Sequence, residues 1–163
     1  KAFDDGGAWA KSGKLHQQLF ECLRSDDYFE RPSPKSTGRE NFNLCWLEAK
    51  LRALGTPIAA NDVQRSLLEL TAWTIAKACM EAGIVKLWVC GGGAHNAFLM
   101  EVLKLRIGGP VFSTESLNIH PLQVEACAFA WLGYRFLNRQ TANLPEVTGS
   151  AKAKVLGALW PAS

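Results

Sequence analysis

Seven residues near the middle of the chain, Cys90-Gly91-Gly92-Gly93-Ala94-His95-Asn96, combine residue types and spacing suited to holding a phosphate or a nucleotide. Glycine has no Cβ, so three in succession permit positive φ and let the main chain come into contact with a ligand. An apolar-periodic stretch follows from Ala97, and a helix starting there would add unpaired amides and a partial positive charge, which together attract an anion. The same residues fit a plainer account equally well, a tight strand-to-helix turn with Asn96 as the helix cap. The spacing is not the dinucleotide fingerprint GxGxxG, because no glycine follows Asn96 before Gly108. Nor is it the phosphate-wrapping GxxxxGK loop completed by Ser or Thr, a pattern that Ser12-Gly13-Lys14-Leu15 also misses. On the ligand reading, main-chain amides of Gly91, Gly92 and Gly93 make the closest approach, Asn96 sits beside them, and a bulky residue at Gly92 blocks binding. His95 is expected to be a solvated turn residue.

Glu125 is the second residue of interest, the only charged side chain between His120 and Arg135 in an otherwise apolar stretch. If that stretch is a buried helix, its carboxylate must meet a cation, a wet cleft, a ligand hydroxyl or nearby backbone, because an unpaired buried charge costs several kcal/mol or more. Lys35 and Arg39 are candidates for facing phosphates across a cleft, although cations near a helix start are more often simply solvated. The five cysteines, Cys22, Cys45, Cys79, Cys90 and Cys127, form no CxxC pair and no Cys/His cluster of metal-ligand spacing, and they read as buried free thiols. That usage suits a reducing cytosol. The tryptophans, Trp46, Trp73 and Trp131 among them, fall on apolar stripes and read as core.

The elements that must position these groups follow from periodicity and punctuation. Asp4 to Gly13 is glycine-rich and polar; Leu15, Leu19, Cys22 and Leu23 then recur at helical spacing before a loop through Arg31-Pro32-Ser33-Pro34. Thr37-Gly38-Arg39-Glu40 has the form of a capping box and predicts a second helix from about Gly38, ended by Gly55-Thr56-Pro57. Asn61 or Asp62 is expected to cap a third helix, with Val63, Leu67, Leu70, Thr74 and Ala78 on one face and Leu68, Ile75 and Cys79 widening the stripe. Ile84 to Cys90 reads as a strand buried on both faces of a sheet. The glycine turn, a helix over Ala97 to Leu105 and a short strand from Pro110 to Ser113 come next. Pro121 suits the first turn of a helix, and Leu122 to Leu137, apolar nearly all round, should be buried. Beyond Asn138 the chain is loop-like, with a segment of unassigned type over Lys154 to Leu159.

The bulk properties are those of a soluble globular chain. With 163 residues, one domain is expected, able to bury roughly two thirds of the surface its unfolded form exposes. Hydrophobic residues make up 48% and charged residues 20% of the sequence, which argues against disorder. No apolar run approaches the ~20 residues of a membrane-spanning helix. Lys1 opens directly into polar sequence without a signal peptide, so the cytoplasm is the expected location. The net charge of +3 is dispersed and argues against nucleic acid as a partner.

Read as a whole, Cys90 to Asn96 with Leu99-Met100 resembles the adenosine-side motif of the anhydro-N-acetylmuramic acid kinases, a family of the sugar kinase, heat-shock 70 and actin superfamily. Further blocks agree in order. They are Pro34-Lys35-Ser36-Thr37-Gly38-Arg39-Glu40 with Phe42-Asn43 and Trp46-Leu47, then Asp62-Val63-Gln64 with Leu67 to Thr71, then Glu125-Ala126 with Ala128 to Leu132. Asn143-Leu144-Pro145, Val147-Thr148-Gly149 and Val155-Leu156-Gly157-Ala158 close the series. The resemblance implies a helix-rich α/β fold, part of an actin-like (ribonuclease H-like) ATPase domain with a small sheet flanked by helices. It implies that residues 1–163 are the carboxy-terminal, nucleotide-contacting domain of a two-domain kinase whose amino-terminal domain, with an Asp-Thr-Gly-Pro-Gly-Asn turn and the catalytic aspartate, is absent. It also implies ATP and Mg²⁺ as cofactors, and conversion of 1,6-anhydro-N-acetylmuramic acid to N-acetylmuramic acid 6-phosphate in cell-wall recycling. The aspartate of the other domain would activate the water, so no catalytic base and no metal ligand is assigned in this chain, which alone would be inactive. Nucleotide binding falls to Gly91, Gly92, Gly93 and Asn96, and the sugar to Glu125. A homodimer is compatible with this reading. The alternatives are half of another sugar or carboxylate kinase of the superfamily, since fold does not fix substrate, or a non-catalytic nucleotide-binding module.

Overall fold

The computed structural model describes residues 3–160. In chain order they form α1 (Ala8–Ser12), α2 (Gln17–Arg24), α3 (Leu44–Leu54), α4 (Ala60–Glu81), β1 (Leu87–Val89), α5 (Ala97–Ile107), β2 (Val111–Ser113), α6 (Val124–Leu137) and α7 (Pro145–Thr148). Single 3₁₀ turns lie at Asp5–Gly7, Asp27–Glu30, Gly92–His95, Thr114–Leu117 and Pro121–Gln123.

Helix α4 organises the rest because its apolar residues occupy two opposite sides, and each side must be covered by something. Leu68, Ala72 and Ile75 pack with Ala10 of α1, Leu99, Val102 and Leu103 of α5, and Val111 of β2. Val63, Leu67, Leu70 and Trp73 pack on the other side with Leu19, Phe20 and Leu23 of α2, Phe29, and Trp46, Leu47 and Leu51 of α3. Burying a Leu or Phe side chain contributes about 1.5–3 kcal/mol relative to exposure, so two such clusters hold α4 between them. The expected strand, glycine turn, helix, strand order is present as a βαβ unit. Strands β1 and β2 pair in parallel, with Leu87 opposite Val111, Trp88 opposite Phe112 and Val89 opposite Ser113. Helix α5 makes the crossover and ends at Gly108 in the left-handed conformation.

Several expectations are corrected by the structure. The glycine-rich amino-terminal stretch, to which the sequence assigned no element, contains a 3₁₀ turn and α1, whose amides donate to the Asp4 carboxylate (Trp9 N at 2.8 Å, Ala10 N at 3.0 Å). The Thr37–Glu40 capping box does not form. The Asn43 Oδ1 accepts the Trp46 amide at 3.0 Å, and α3 therefore begins at Leu44. The Asn43 Nδ2 holds the carbonyls of Arg39 and Glu40, so residues 38–42 become a turn feeding that cap. Asn61 and Asp62 do not cap α4, which starts from Ala59. Instead they pin the loop before α2, Asp62 accepting the Lys14 amide at 2.7 Å and Asn61 donating to the Ser12 carbonyl at 3.1 Å.

Two larger expectations of burial also fail. The strand covers only Leu87–Val89 and is half-buried, with Val85 74% exposed. One neighbouring strand and one covering helix leave the other face to Trp88, Phe112 and Lys86, which stack on one another. Helix α6 has no buried residue: Phe129 is 65% and Trp131 50% exposed, which also removes Trp131 from the core, whereas Trp46 and Trp73 belong to it. The helix packs chiefly on the short turn before it and joins neither apolar cluster. All five cysteines are free, but only Cys79 is buried.

Candidate nucleotide-binding turn

Parallel pairing brings the carboxyl ends of β1 and β2 side by side, and open parallel sheets bind ligands in the crevice outside those ends. The chain leaves β1 there through the three glycines. Gly91 has φ 75° and ψ −171°, a region essentially closed to residues with a Cβ. Its amide donates to the Pro121 carbonyl at 2.9 Å, which ties the glycine turn to the segment leading into α6. The backbone therefore explains Gly91. It does not explain Gly92: the φ there is not left-handed, and a Cβ would meet nothing within 4 Å. At Gly93 a Cβ would touch only Leu99 Cδ2, at an ordinary 3.5 Å.

The amides of Gly92 and Gly93 head a 3₁₀ turn and so have no acceptor within it. Among the described residues they donate to nothing else. Successive free main-chain N–H groups are a recurrent anion-binding feature, and α5 starts two residues beyond the turn. Asn96 does the job that the plainer account gave it, its Oδ1 accepting the Leu99 amide at 2.9 Å. Its own amide donates to the Gly93 carbonyl at 3.1 Å, so one residue both closes the turn and caps the helix. The Asn96 Nδ2 has no acceptor among the described residues. His95 is exposed, and its ring centroid lies 6.0 Å from that of His120. His120 was not singled out from the sequence; the available signal was its place immediately before Pro121, where its Nδ1 accepts the Leu122 amide at 3.3 Å. Thr114, directly after β2, was missed as well, and its Oγ1 is buried without a hydrogen-bond partner.

Glu125 lies in the first turn of α6, four residues from the Pro121 carbonyl that receives the Gly91 amide. Its carboxylate is exposed and forms no hydrogen bond or ion pair among the described residues, so the argument from a buried charge does not apply to it. A carboxylate in a first helical turn is favoured by the helix dipole.

Lys35 and Arg39 are not brought to the glycine turn. Lys35 Nζ donates to the carbonyls of Tyr28 (3.1 Å) and Phe29 (3.2 Å) and borders a 740 Å³ cavity walled by Phe42, Trp46 and Trp73. None of residues 89–96 lines that cavity. Size alone would favour the cavity as the binding site, but its cations are already satisfied: Lys77 Nζ donates to the Phe29 carbonyl at 3.0 Å and lies 3.5 Å from Glu30. The glycine turn, in contrast, carries two amides, those of Gly92 and Gly93, with no acceptor among the described residues. Among the described residues no group of three or more His, Cys, Asp or Glu side chains is arranged to hold a metal ion. No described helix is long and apolar enough to cross a membrane.

Comparison with known proteins decides the family. The profile of the anhydro-N-acetylmuramic acid kinase family matches residues 1–162. The chain belongs to this family. Among proteins named anhydro-N-acetylmuramic acid kinase, that of Burkholderia lata is 48% identical over 168 residues, covering 99% of this chain and 44% of the relative. The kinase of Pseudomonas paraeruginosa is 47% identical, covering 98% and 44%, and that of Saccharophagus degradans 44% identical, covering 97% and 43%. The chain therefore spans less than half the length of these kinases.

Proposed function

We propose that this chain is the carboxy-terminal, nucleotide-contacting part of an anhydro-N-acetylmuramic acid kinase, built on part of an actin-like ATPase fold. The remainder of the polypeptide supplies the catalytic aspartate. The observation that carries this reading is Gly92. Neither its backbone conformation nor its neighbours require glycine, yet its amide and that of Gly93 are free at the carboxyl end of β1. A ligand whose anionic or polar groups lie against the main chain accounts for both facts. In the assembled enzyme, the amides of Gly92 and Gly93 hold and orient ATP, with Gly91 fixing the bend and Asn96 the start of α5. Glu125 grips a hydroxyl of the anhydro sugar from the other side of the segment tied to Gly91. Closure of the two domains excludes bulk water around the reacting phosphoryl group. Mg²⁺, which phosphoryl transfer generally uses to neutralise phosphate charge, finds no carboxylate cluster among the described residues. The described residues therefore assign no protein ligand to it.

The test uses a kinase completed to the length of its relatives. Gly92→Val is expected to raise the KM for ATP tenfold or more, about 1.4 kcal/mol of lost binding, while the thermal midpoint moves by only a few degrees because a Cβ there meets nothing within 4 Å and the backbone is not left-handed. Unchanged ATP binding by calorimetry would refute the assignment. Glu125→Gln is expected to lower kcat/KM for the sugar without altering nucleotide affinity, and the reverse pattern would remove Glu125 from the sugar site.

A further inference from the structure

The amino-terminal turn Asp5–Gly7 ends against the candidate nucleotide turn. Gly7 has φ 76° and ψ 19°, and a Cβ built on it would lie 2.1 Å from Asn96 Oδ1, 3.0 Å from Asn96 Cγ and 2.8 Å from Phe98 Cβ. No side chain fits between them. The oxygen that Gly7 approaches is the one capping α5 through the Leu99 amide, and the residue carrying it closes the glycine turn through the Gly93 carbonyl. Independent contacts hold the two segments at this distance. Asp4 caps α1, and Lys11 of α1 pairs with Glu101 of α5 at 2.9 Å while its Nζ lies 5.4 Å from the Phe98 ring centroid.

We propose that Gly7, about ninety residues away in sequence, is a positioning residue for the nucleotide site: its bare backbone packs against Asn96 and so fixes where the Gly92 and Gly93 amides stand. This rests on the nucleotide reading of the glycine turn and extends it to a residue that touches no ligand. Gly6 provides an internal control. It too is left-handed, with φ 62°, but a Cβ there would meet nothing within 4 Å. Alanine at either position carries the backbone strain of a positive φ, and only at Gly7 does it displace Asn96.

In the completed kinase, Gly7→Ala is expected to raise the KM for ATP about tenfold, with kcat at saturating ATP and the KM for the sugar within about twofold of the parent. Gly6→Ala is expected to lower the thermal midpoint comparably and to leave all three kinetic constants unchanged. If both variants lose stability alike and neither moves the KM for ATP, Gly7 is merely structural and the proposal is overturned. Asn96→Ala reads the same contact from its other side and covers the case in which Gly7→Ala does not fold. It should raise the KM for ATP, and an unchanged value overturns the proposal. Gly92→Val measured alongside separates the two levels. ATP binding impaired by Gly92→Val but not by Gly7→Ala removes only the positioning role, whereas ATP binding impaired by neither removes the nucleotide site itself.

Discussion

At Asp26 burial and hydrogen bonding pull the carboxyl in opposite directions. Desolvation raises its pKa, and the Trp46 indole N–H (2.9 Å), the Tyr28 amide (3.1 Å) and the Lys50 ammonium (3.6 Å) together outweigh it and hold the group below the usual carboxylate range. A carboxyl depressed in the folded state stabilises the fold above its unfolded pKa of about 4, and that contribution is lost as pH falls through the lower folded value. Trp46→Phe keeps most of the packing and deletes the indole donor. Its loss of stability should be complete at neutral pH and should shrink as pH drops below about 4; a pH-independent loss in urea melts would mean that Trp46 acts by packing alone. Single residues of this kind were poorly legible in the sequence, because Asp26 and Trp46 are twenty positions apart and nothing in either neighbourhood announces the pair. The triple glycine was legible, since consecutive glycines have few uses. What the sequence could not tell was that Gly91 answers to backbone conformation and Gly92 does not.

Elements were legible where a local signal had no competitor. Asn96 before an apolar-periodic run caps α5, and Gly55 and Gly108 end α3 and α5 in the left-handed conformation as expected of glycine at a helix end. At the start of α3 two signals competed. The Thr37–Glu40 pattern was read as the cap, and Asn43, which has the shorter route to a free amide, prevailed. The joint between α4 and α5 was not legible at all. Glu69, only 5% exposed, accepts from Arg65 Nη2 at 2.8 Å and from Arg106 Nε at 2.6 Å, while Arg65 lies over the Phe98 ring and Arg106 over that of Phe20. One carboxylate thus binds α4 to α5 and brings the two apolar clusters into register. Truncating one partner of a buried ion pair leaves the others uncompensated, at roughly 3–5 kcal/mol. Both guanidinium groups retain some exposure, so Glu69→Ala should cost about 3 kcal/mol by chemical denaturation. A cost below about 1 kcal/mol, the level of a surface pair, would show the cluster to be solvent-screened.

For the molecule as a whole, the apolar pattern and the observed surface disagree in one place. Phe129, Trp131, Tyr134 and Leu137 of α6 are exposed, as are Leu144, Val147, Leu159 and Trp160 further along the chain. Large exposed apolar patches on soluble proteins usually mark interaction surfaces, and four of these side chains lie on the single helix α6. The sequence reading of α6 as a buried helix fails, because the described residues cover it only in part, through the turn before it and the chain near Gly157, which lies against Phe136. The relatives are more than twice as long, and under the proposed function it is the rest of such a kinase that covers this surface. Exposed Val85, just before β1, and the Trp88–Phe112 face extend the same argument to the sheet. Hydrogen exchange separates local from global protection and can be run on this segment alone and on the completed kinase. Amides of α6 should exchange at least about tenfold more slowly in the completed kinase, whereas those of α4, already enclosed on both sides, should change far less. Equal exchange of α6 in the two proteins would mean that the remaining polypeptide packs elsewhere, and the proposed sugar contact of Glu125, which is held on that helix, would fall with it.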